Sequence, residues 1–96
     1  MIRNVVLGRL RPGADPTRLR AALAAIAALQ PAGLLAVSVG PDLRLREESW
    51  DFAITSDFVD EASYRAYDVE DEHNRIRREL FGPICEQIVR VQVRAG

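Results

Sequence analysis

The sequence has 96 residues, of which 48% are hydrophobic, and it carries a formal net charge of −1. This length suits one domain with one core, and the hydrophobic share excludes an intrinsically disordered chain. The nearly neutral charge argues against a surface that binds nucleic acid. We therefore predict a single domain over residues 1–96 with no nucleic-acid partner.

The single cysteine, Cys85, cannot form an internal disulfide and is compatible with a reducing compartment. We interpret Cys85 as a small buried hydrophobe on a helix, because a nucleophilic thiol needs a base beside it and the only histidine lies twelve positions upstream. The apolar runs are too short for a signal-peptide core or a bilayer-spanning helix. These features predict a cytoplasmic protein without a membrane partner.

The first half of the chain carries signals for a strand, a helix and a second strand. Ile2 to Leu10 is rich in β-branched and aliphatic residues, which is typical of a strand. Asp15 and Pro16 then indicate a helix start, as the N-cap and the first helical residue. Alternation of residue types over 34–40 predicts the second strand, and its odd-numbered residues should form the apolar face. The helix should bury one stripe of apolar residues at helical spacing: Leu19, Leu23, Ile26 and Leu29.

The second half of the chain carries two more strands around a divided helix. Apolar and polar side chains alternate from Trp50 to Phe58, as expected for a strand with one buried face. Asp60 is typical of a helix N-cap. The acidic segment Asp68–Glu72 should break this helix before it resumes near His73. Ile88 to Val93 predicts the last strand.

This β-α-β-β-α-β order is that of the ferredoxin-like α+β fold, a four-stranded antiparallel sheet with helices on one face. The other face carries Val5, Leu7 and one side of the last strand, and no further element remains to cover it. Exposed apolar surface of this kind marks a partner surface. Because homo-oligomers are usually two-fold symmetric, the simplest cover is a second copy of the same sheet, and we predict a homodimer.

The sequence holds few residues that could carry chemistry. One histidine and one cysteine exclude a metal site built from these residue types within one chain. Neither a P-loop nor a glycine-rich dinucleotide fingerprint is present. We therefore predict that the protein purifies without a metal, a chromophore or another cofactor.

His73 is the first candidate for a site residue, and it follows Glu70, Asp71 and Glu72. These acidic neighbours should favour its charged form if the ring is exposed. Tyr67 lies six residues earlier, and a turn of the chain at the acidic break would let both side chains reach one cavity. Two interpretations stay open for each residue. His73 is either a surface histidine or an acid–base group, and Tyr67 is either a core aromatic or a site residue.

Asn4 places a polar amide in the middle of the strand face that should point at the helices. A buried amide must be hydrogen-bonded, either to tie the strand to a loop or within a pocket. Gly8 lies on the same face and removes a side chain from it. Together they predict a cavity between sheet and helices, where ligands commonly bind.

Segments along almost the whole chain resemble, in their order and spacing, the stress-responsive A/B barrel domain proteins. The matching segments are Met1–Leu7, Arg11–Gly13, Val39–Leu43, Trp50–Ala62, Tyr64–Tyr67, His73, Pro83 and the final valine-rich strand. The resemblance implies a ferredoxin-like monomer and a dimeric α/β barrel made by two sheets packed face to face.

The same resemblance implies which residues form a site. Most members of the family have no established activity, but one plant member is a polyketide cyclase that closes a ring by aldol condensation without a cofactor. Its essential histidine and supporting tyrosine correspond to His73 and Tyr67 here. Asn4 and Phe52 stand where that enzyme has two further pocket histidines, and we expect both to line the ligand site.

Three functions stay open. The first is a homodimeric protein that binds a small molecule and has no proven activity. The second is a cofactor-free, polyketide cyclase-like enzyme that uses His73 and Tyr67 for aldol-type acid–base chemistry. The third is a structural interaction module whose cavity is filled by side chains. A solvent-accessible pocket beside His73 would separate the first two from the third.

Overall fold

The computed structural model describes residues 1–96, and one four-stranded sheet organises it. In chain order the elements are β1 (Ile2–Leu10), α1 (Pro16–Ala27), β2 (Leu34–Pro41), β3 (Phe52–Phe58), α2 (Glu61–Asp68), α3 (Asp71–Ile76), a π-helical turn (Arg77–Phe81) and β4 (Cys85–Arg94). The strands lie in the order β2-β3-β1-β4, and every neighbouring pair is antiparallel. This confirms the predicted α+β, ferredoxin-like fold. None of the helices has the length and hydropathy that crossing a bilayer requires.

The first two helices start where the capping signals predict. The Asp15 carboxylate accepts a hydrogen bond from the backbone N–H of Thr17 at 2.8 Å, and Pro16 is the first residue of α1. Asp60 caps α2 in the same way by accepting from the backbone N–H of Ser63 at 2.9 Å. These local bonds set where each helix begins and therefore which of its residues face the sheet.

The main core lies between the sheet and the helices. Residues of β3 alternate between buried and partly buried, and Phe52, Ile54 and Phe58 are buried on the helix-facing side. The predicted apolar stripe of α1 is buried as well, with only Leu29 left partly exposed. The π-helical turn adds Phe81, whose ring centroid lies 5.6 Å from that of Phe52. The helix-facing side of the sheet is therefore closed by all three helices and this turn.

The second strand departs from the predicted alternation near its start. Its register against β3 shifts between Leu34 and Ala36, so Leu35 is an extra residue at a bulge. Leu35 is consequently 58% exposed instead of lying on the partly buried face with Val37 and Val39. A period-two pattern does not reveal such a bulge, because only the partner strand shows that a residue is extra.

The third and fourth strands begin at residues other than those predicted. β3 begins at Phe52, and Trp50 lies before it with the Arg9 guanidinium 4.4 Å from its ring centroid. β4 begins at Cys85, three residues earlier than predicted, because the helical chain has already ended in a turn after Phe81. Cys85 is buried as predicted, but it stands at the start of a strand and not on a helix.

The sheet side opposite the helices carries uncovered apolar side chains. Val89, Val91 and Val93 on β4 are 37%, 53% and 44% exposed. Val89 and Val91 lie directly across from Leu7 and Val5 on β1. We call this surface, formed by these five residues, the far face.

Gly8 makes room for a core side chain and not for a cavity, contrary to the prediction. It pairs directly with Phe52 across the β1–β3 ladder. A methyl group on Gly8 would lie 2.0 Å from Cζ of the Phe52 ring, so the ring already occupies the space that the glycine leaves.

We expect Gly8→Ala to lower the free energy of unfolding by about 1–3 kcal/mol, because its methyl group would overpack the core. Urea unfolding followed by the fluorescence of Trp50, the only tryptophan, measures this change. The double variant Gly8→Ala/Phe52→Leu is the control. Removal of the ring should recover part of the loss, so the two free-energy changes should be less than additive. Additive changes would show that the two residues do not interact.

Candidate functional site

A cavity lies between the helix-facing side of the sheet and the helices. Its volume is about 40 Å³, enough for a few water molecules at about 10–15 Å³ each. All four residues that the sequence suggests for a site, Asn4, Phe52, Tyr67 and His73, line it. Their convergence is a property of the fold, and their roles in binding or catalysis stay predictions.

Tyr67 and His73 come together because the helical chain is interrupted between them. Only Val69 and Glu70 separate α2 from α3, so the break is shorter than the predicted acidic segment. Glu70 is the N-cap of α3: its carboxylate oxygens accept hydrogen bonds from the backbone N–H groups of Glu72, at 3.0 Å, and of His73, at 2.7 Å. The acidic residues thus help to restart the helix in a new direction.

The Tyr67 and His73 rings are stacked. Their centroids lie 4.0 Å apart and their planes are inclined by 29°. Both residues are buried, and Tyr67 also packs on Phe58 with 5.1 Å between ring centroids. The pair is therefore held by the core on one side and by the capped helix start on the other.

Burial sets the protonation state of His73. Loss of solvation and the positive charge of Arg77 lower the pKa of the imidazole, against the charge of Asp68, the backbone carbonyl of Tyr67 beside the ring and the charge of Glu70. The ring is consequently neutral at neutral pH, whereas the sequence favours the charged form for an exposed ring. Its Nδ1 is buried and has no hydrogen-bond partner in the chain. A neutral imidazole with a nitrogen that makes no well-formed hydrogen bond is suited to exchange a proton with a ligand.

Burial also determines the state of the Tyr67 hydroxyl. It raises the pKa of Tyr67 to about 12, because the phenolate would lose its solvation. The hydroxyl therefore stays protonated near neutral pH and remains a hydrogen-bond donor. A donor beside a neutral base is an arrangement that serves proton transfer next to a carbonyl group.

Asn4 belongs to a row of three polar side chains that crosses the helix-facing side of the sheet. Its Oδ1 accepts a hydrogen bond from Nε2 of Gln92 at 2.9 Å. On the other side it pairs with Ser56, whose Oγ is buried and has no partner. The hydrogen bond that a buried amide requires is thus made within the sheet and not to a loop.

Four further polar residues line the cavity: Tyr64, Asp68, Arg77 and Arg90. Helical spacing could have indicated three of them, because Tyr64 and Asp68 are one turn apart and Arg77 follows His73 by one turn. Arg90 alternates with the valines of the far face, which places it on the helix-facing side, but no local signal brings it to the cavity. No group of three or more His, Cys, Asp or Glu residues lies close enough together to hold a metal ion.

We expect the pKa of His73 in the folded protein to lie below its ordinary value of 6.5. His73 is the only histidine, so an NMR titration of its ring signals reads this pKa directly. Arg77→Gln should raise it by removing a positive charge. Arg78→Gln, at an exposed neighbour that does not line the cavity, is the matched control and should leave it unchanged.

The sign of the shift also fixes its effect on stability. The unfolded chain takes up a proton at its single histidine before the folded chain does, so this contribution to stability is present above the unfolded pKa and is lost as the pH falls below it. A measured pKa at or above 6.5 would contradict the buried environment of His73.

Comparison with known proteins identifies related sequences and folds. Residues 2–94 match the model of the Stress responsive A/B Barrel Domain. No curated protein matches the sequence significantly. A dimeric ferredoxin-like protein of unknown function from Thermobifida fusca is 26% identical and has a TM-score of 0.86, with 98% of this chain and 90% of that one covered.

Two other solved structures share the fold. A Dabb family protein from Mesorhizobium loti is 19% identical with a TM-score of 0.75, over 99% of this chain and 97% of that one. The hydroxynitrile lyase from Passiflora edulis is 21% identical with a TM-score of 0.83, over 99% of this chain and 93% of that one. At these identities the likeness concerns the fold alone. The family match spans nearly the whole chain, and this protein therefore belongs to the stress-responsive A/B barrel domain family.

Proposed function

We propose that this protein is a homodimer that binds a small molecule in the cavity between its sheet and its helices. The observation that carries the proposal is His73, whose buried Nδ1 has no partner in the chain and whose ring lines the cavity against Tyr67. Buried polar atoms in proteins are nearly always hydrogen-bonded, so this nitrogen favours a ligand or a water as its partner. A mostly apolar cavity with a few convergent polar groups is typical of small-molecule sites.

The size of the cavity restricts the ligand. A volume of about 40 Å³ is well below the about 150 Å³ of a cavity that encloses benzene. Such a space holds a ligand of only about three or four non-hydrogen atoms, such as a short-chain carbonyl compound, and excludes ring systems and longer chains. The Tyr67 hydroxyl and the His73 ring offer such a carbonyl group a hydrogen-bond donor and a proton acceptor.

An interaction module without a ligand is less well supported. A purely structural core gains nothing from buried polar groups without partners, because each one costs free energy. Here Nδ1 of His73, in the cavity wall, and Oγ of Ser56, beside Asn4, are both buried without a partner. The presence of these groups favours a ligand site over a core that serves packing alone.

Acid–base catalysis is the second candidate, and the stacked Tyr67–His73 pair favours it. His73 would remove a proton next to a carbonyl group, and the Tyr67 hydroxyl would hold the developing oxyanion. Ring closure of a polyketide chain needs more room than about 40 Å³, so this chemistry requires a wider cavity or a smaller substrate. Loss of turnover in His73→Ala with ligand binding retained would distinguish catalysis from binding.

The proposal includes a cytoplasmic location and neither a nucleic-acid nor a membrane partner. A net charge of −1 provides no general attraction to nucleic acid. The free, buried Cys85 is compatible with a reducing compartment.

The partner in the proposed dimer is a second copy of the chain seated on the far face. The two arginines beside that surface on β1 already have partners in the chain: Arg3 donates hydrogen bonds to Asp57 at 2.8 and 3.1 Å, and Arg9 lies over the ring of Trp50. A second sheet would therefore bury apolar side chains without leaving either arginine unpaired. The Thermobifida fusca protein of the same fold, which is described as dimeric, supports this arrangement.

We expect light scattering at micromolar concentration to give the mass of a dimer. Leu7→Glu should lose that mass, because it would place an unpaired carboxylate in an apolar interface. Val69→Glu is the matched control: this valine is 71% exposed between α2 and α3 and should tolerate the charge. A monomer mass for the unsubstituted protein would contradict the proposal.

We expect acetone, a neutral ketone of four non-hydrogen atoms, to bind in the cavity. NMR should show saturable shifts at the His73 ring and at the methyl groups of Ile54 and Ile88, which line the cavity. The methyl groups of Val91, on the far face, are the internal control and should not shift. His73→Phe should weaken binding about 2- to 10-fold, which corresponds to one hydrogen bond. Shifts that do not saturate, or that are equal at Val91, would show that the cavity does not bind this ligand.

A further inference from the structure

Two arginines stand at the mouth of the cavity without a carboxylate partner. Arg77, Arg90 and Ile88 line both the cavity and a wide surface depression of about 570 Å³, so they form the boundary between the two. Neither arginine takes part in any of the ion pairs of the chain. Guanidinium groups placed in this way are suited to bind an anionic group.

Arg90 differs from its neighbours on the same side of β4. Gln92, the next residue on that side, donates a hydrogen bond to Asn4. Arg94, which follows Gln92 on that side of the strand, donates a hydrogen bond to Glu61 at 3.0 Å. Arg90 donates none within the chain, so its guanidinium is available to an external acceptor.

Arg77 is anchored but not neutralised. Its Nη1 donates to Oδ1 of Asn74 at 3.0 Å, while its Nε and Nη2 have no partner. It is the first residue of the π-helical turn, a geometry that is frequent at functional sites. Its charge acts inside the cavity, where it lowers the pKa of His73. The positive potential of the mouth therefore extends to the stacked pair.

The charge and the width of the site select the ligand. Asp68 is the only acidic residue on the cavity lining, so the two arginines leave the cavity one net positive charge while His73 is neutral. The depression adds Arg78, Asp71 and Glu86 to the same two arginines, and its lining also has one net positive charge. One net positive charge matches a carboxylate better than a doubly charged phosphate. A cavity of about 40 Å³ favours a short chain. We infer that the ligand is a small aliphatic carboxylate, with its chain in the cavity and its carboxylate group between Arg77 and Arg90. This inference rests on the proposed function and names its ligand class.

The test compares propanoate with propanamide, which has the same shape and no charge, by calorimetric titration of the 96-residue protein. Propanoate should bind about 10-fold or more tightly than propanamide, because charged hydrogen bonds are stronger than neutral ones. Arg77→Gln and Arg90→Gln should each remove most of this preference, measured as the ratio of the two affinities. Arg46→Gln, at an exposed loop arginine that forms no ion pair, is the matched control and should keep the preference.

Each outcome decides between the proposals. Equal affinity for both compounds in the unsubstituted protein would overturn the inference and leave the proposed function standing. Binding of neither compound would overturn the inference, and it would overturn the proposed function as well if acetone does not bind either. A preference that survives both arginine substitutions, or tighter binding of propyl phosphate than of propanoate, would also overturn the inference. Should Arg77→Gln weaken propanamide binding as well, Arg77→Lys decides, since the inference requires this charge-preserving variant to favour propanoate.

Discussion

The sheet has apolar side chains on both of its faces, and the chain supplies helices for only one of them. On β1, Asn4 and Val6 point toward the helices, whereas Val5 and Leu7 belong to the far face. Because successive residues of a strand face opposite sides, the same nine-residue strand contributes to the cavity and to the proposed dimer surface. The covered face can therefore hold a site, and the uncovered face is the surface on which we propose that a second copy sits.

The cavity in turn depends on the interruption between α2 and α3. In one continuous helix, residues six positions apart would point about 120° away from each other, so Tyr67 and His73 would not stack. The two-residue break and the cap provided by Glu70 redirect the chain and bring the two rings to 4.0 Å. A helix end that is stabilised by a side chain thus creates the geometry at the centre of the candidate site.

The electrostatics of the site follow from burial more than from neighbouring charge. Three acidic residues precede His73 in sequence, yet desolvation and Arg77 prevail and the imidazole stays neutral. Elsewhere on the same helical segment, Arg75 forms ion pairs with Glu72 and Glu79 at the surface. Such exposed pairs contribute little to stability. At the cavity, by contrast, Nδ1 of His73 is buried without a hydrogen-bond partner in the chain.

The sequence by itself determined the element order, the helix starts and the uncovered face, because caps and alternation are local signals. The sequence also indicated Tyr67 and His73 as candidate site residues. The stacking of their rings, however, depends on the exact length of the break between α2 and α3. Only the tertiary structure decided that Leu35 lies at a bulge, that a ring fills the space at Gly8 and that Arg90 reaches the cavity mouth. Each of these depends on strand register and on side chains far away in sequence, and a one-residue change of register would turn every side chain to the other face.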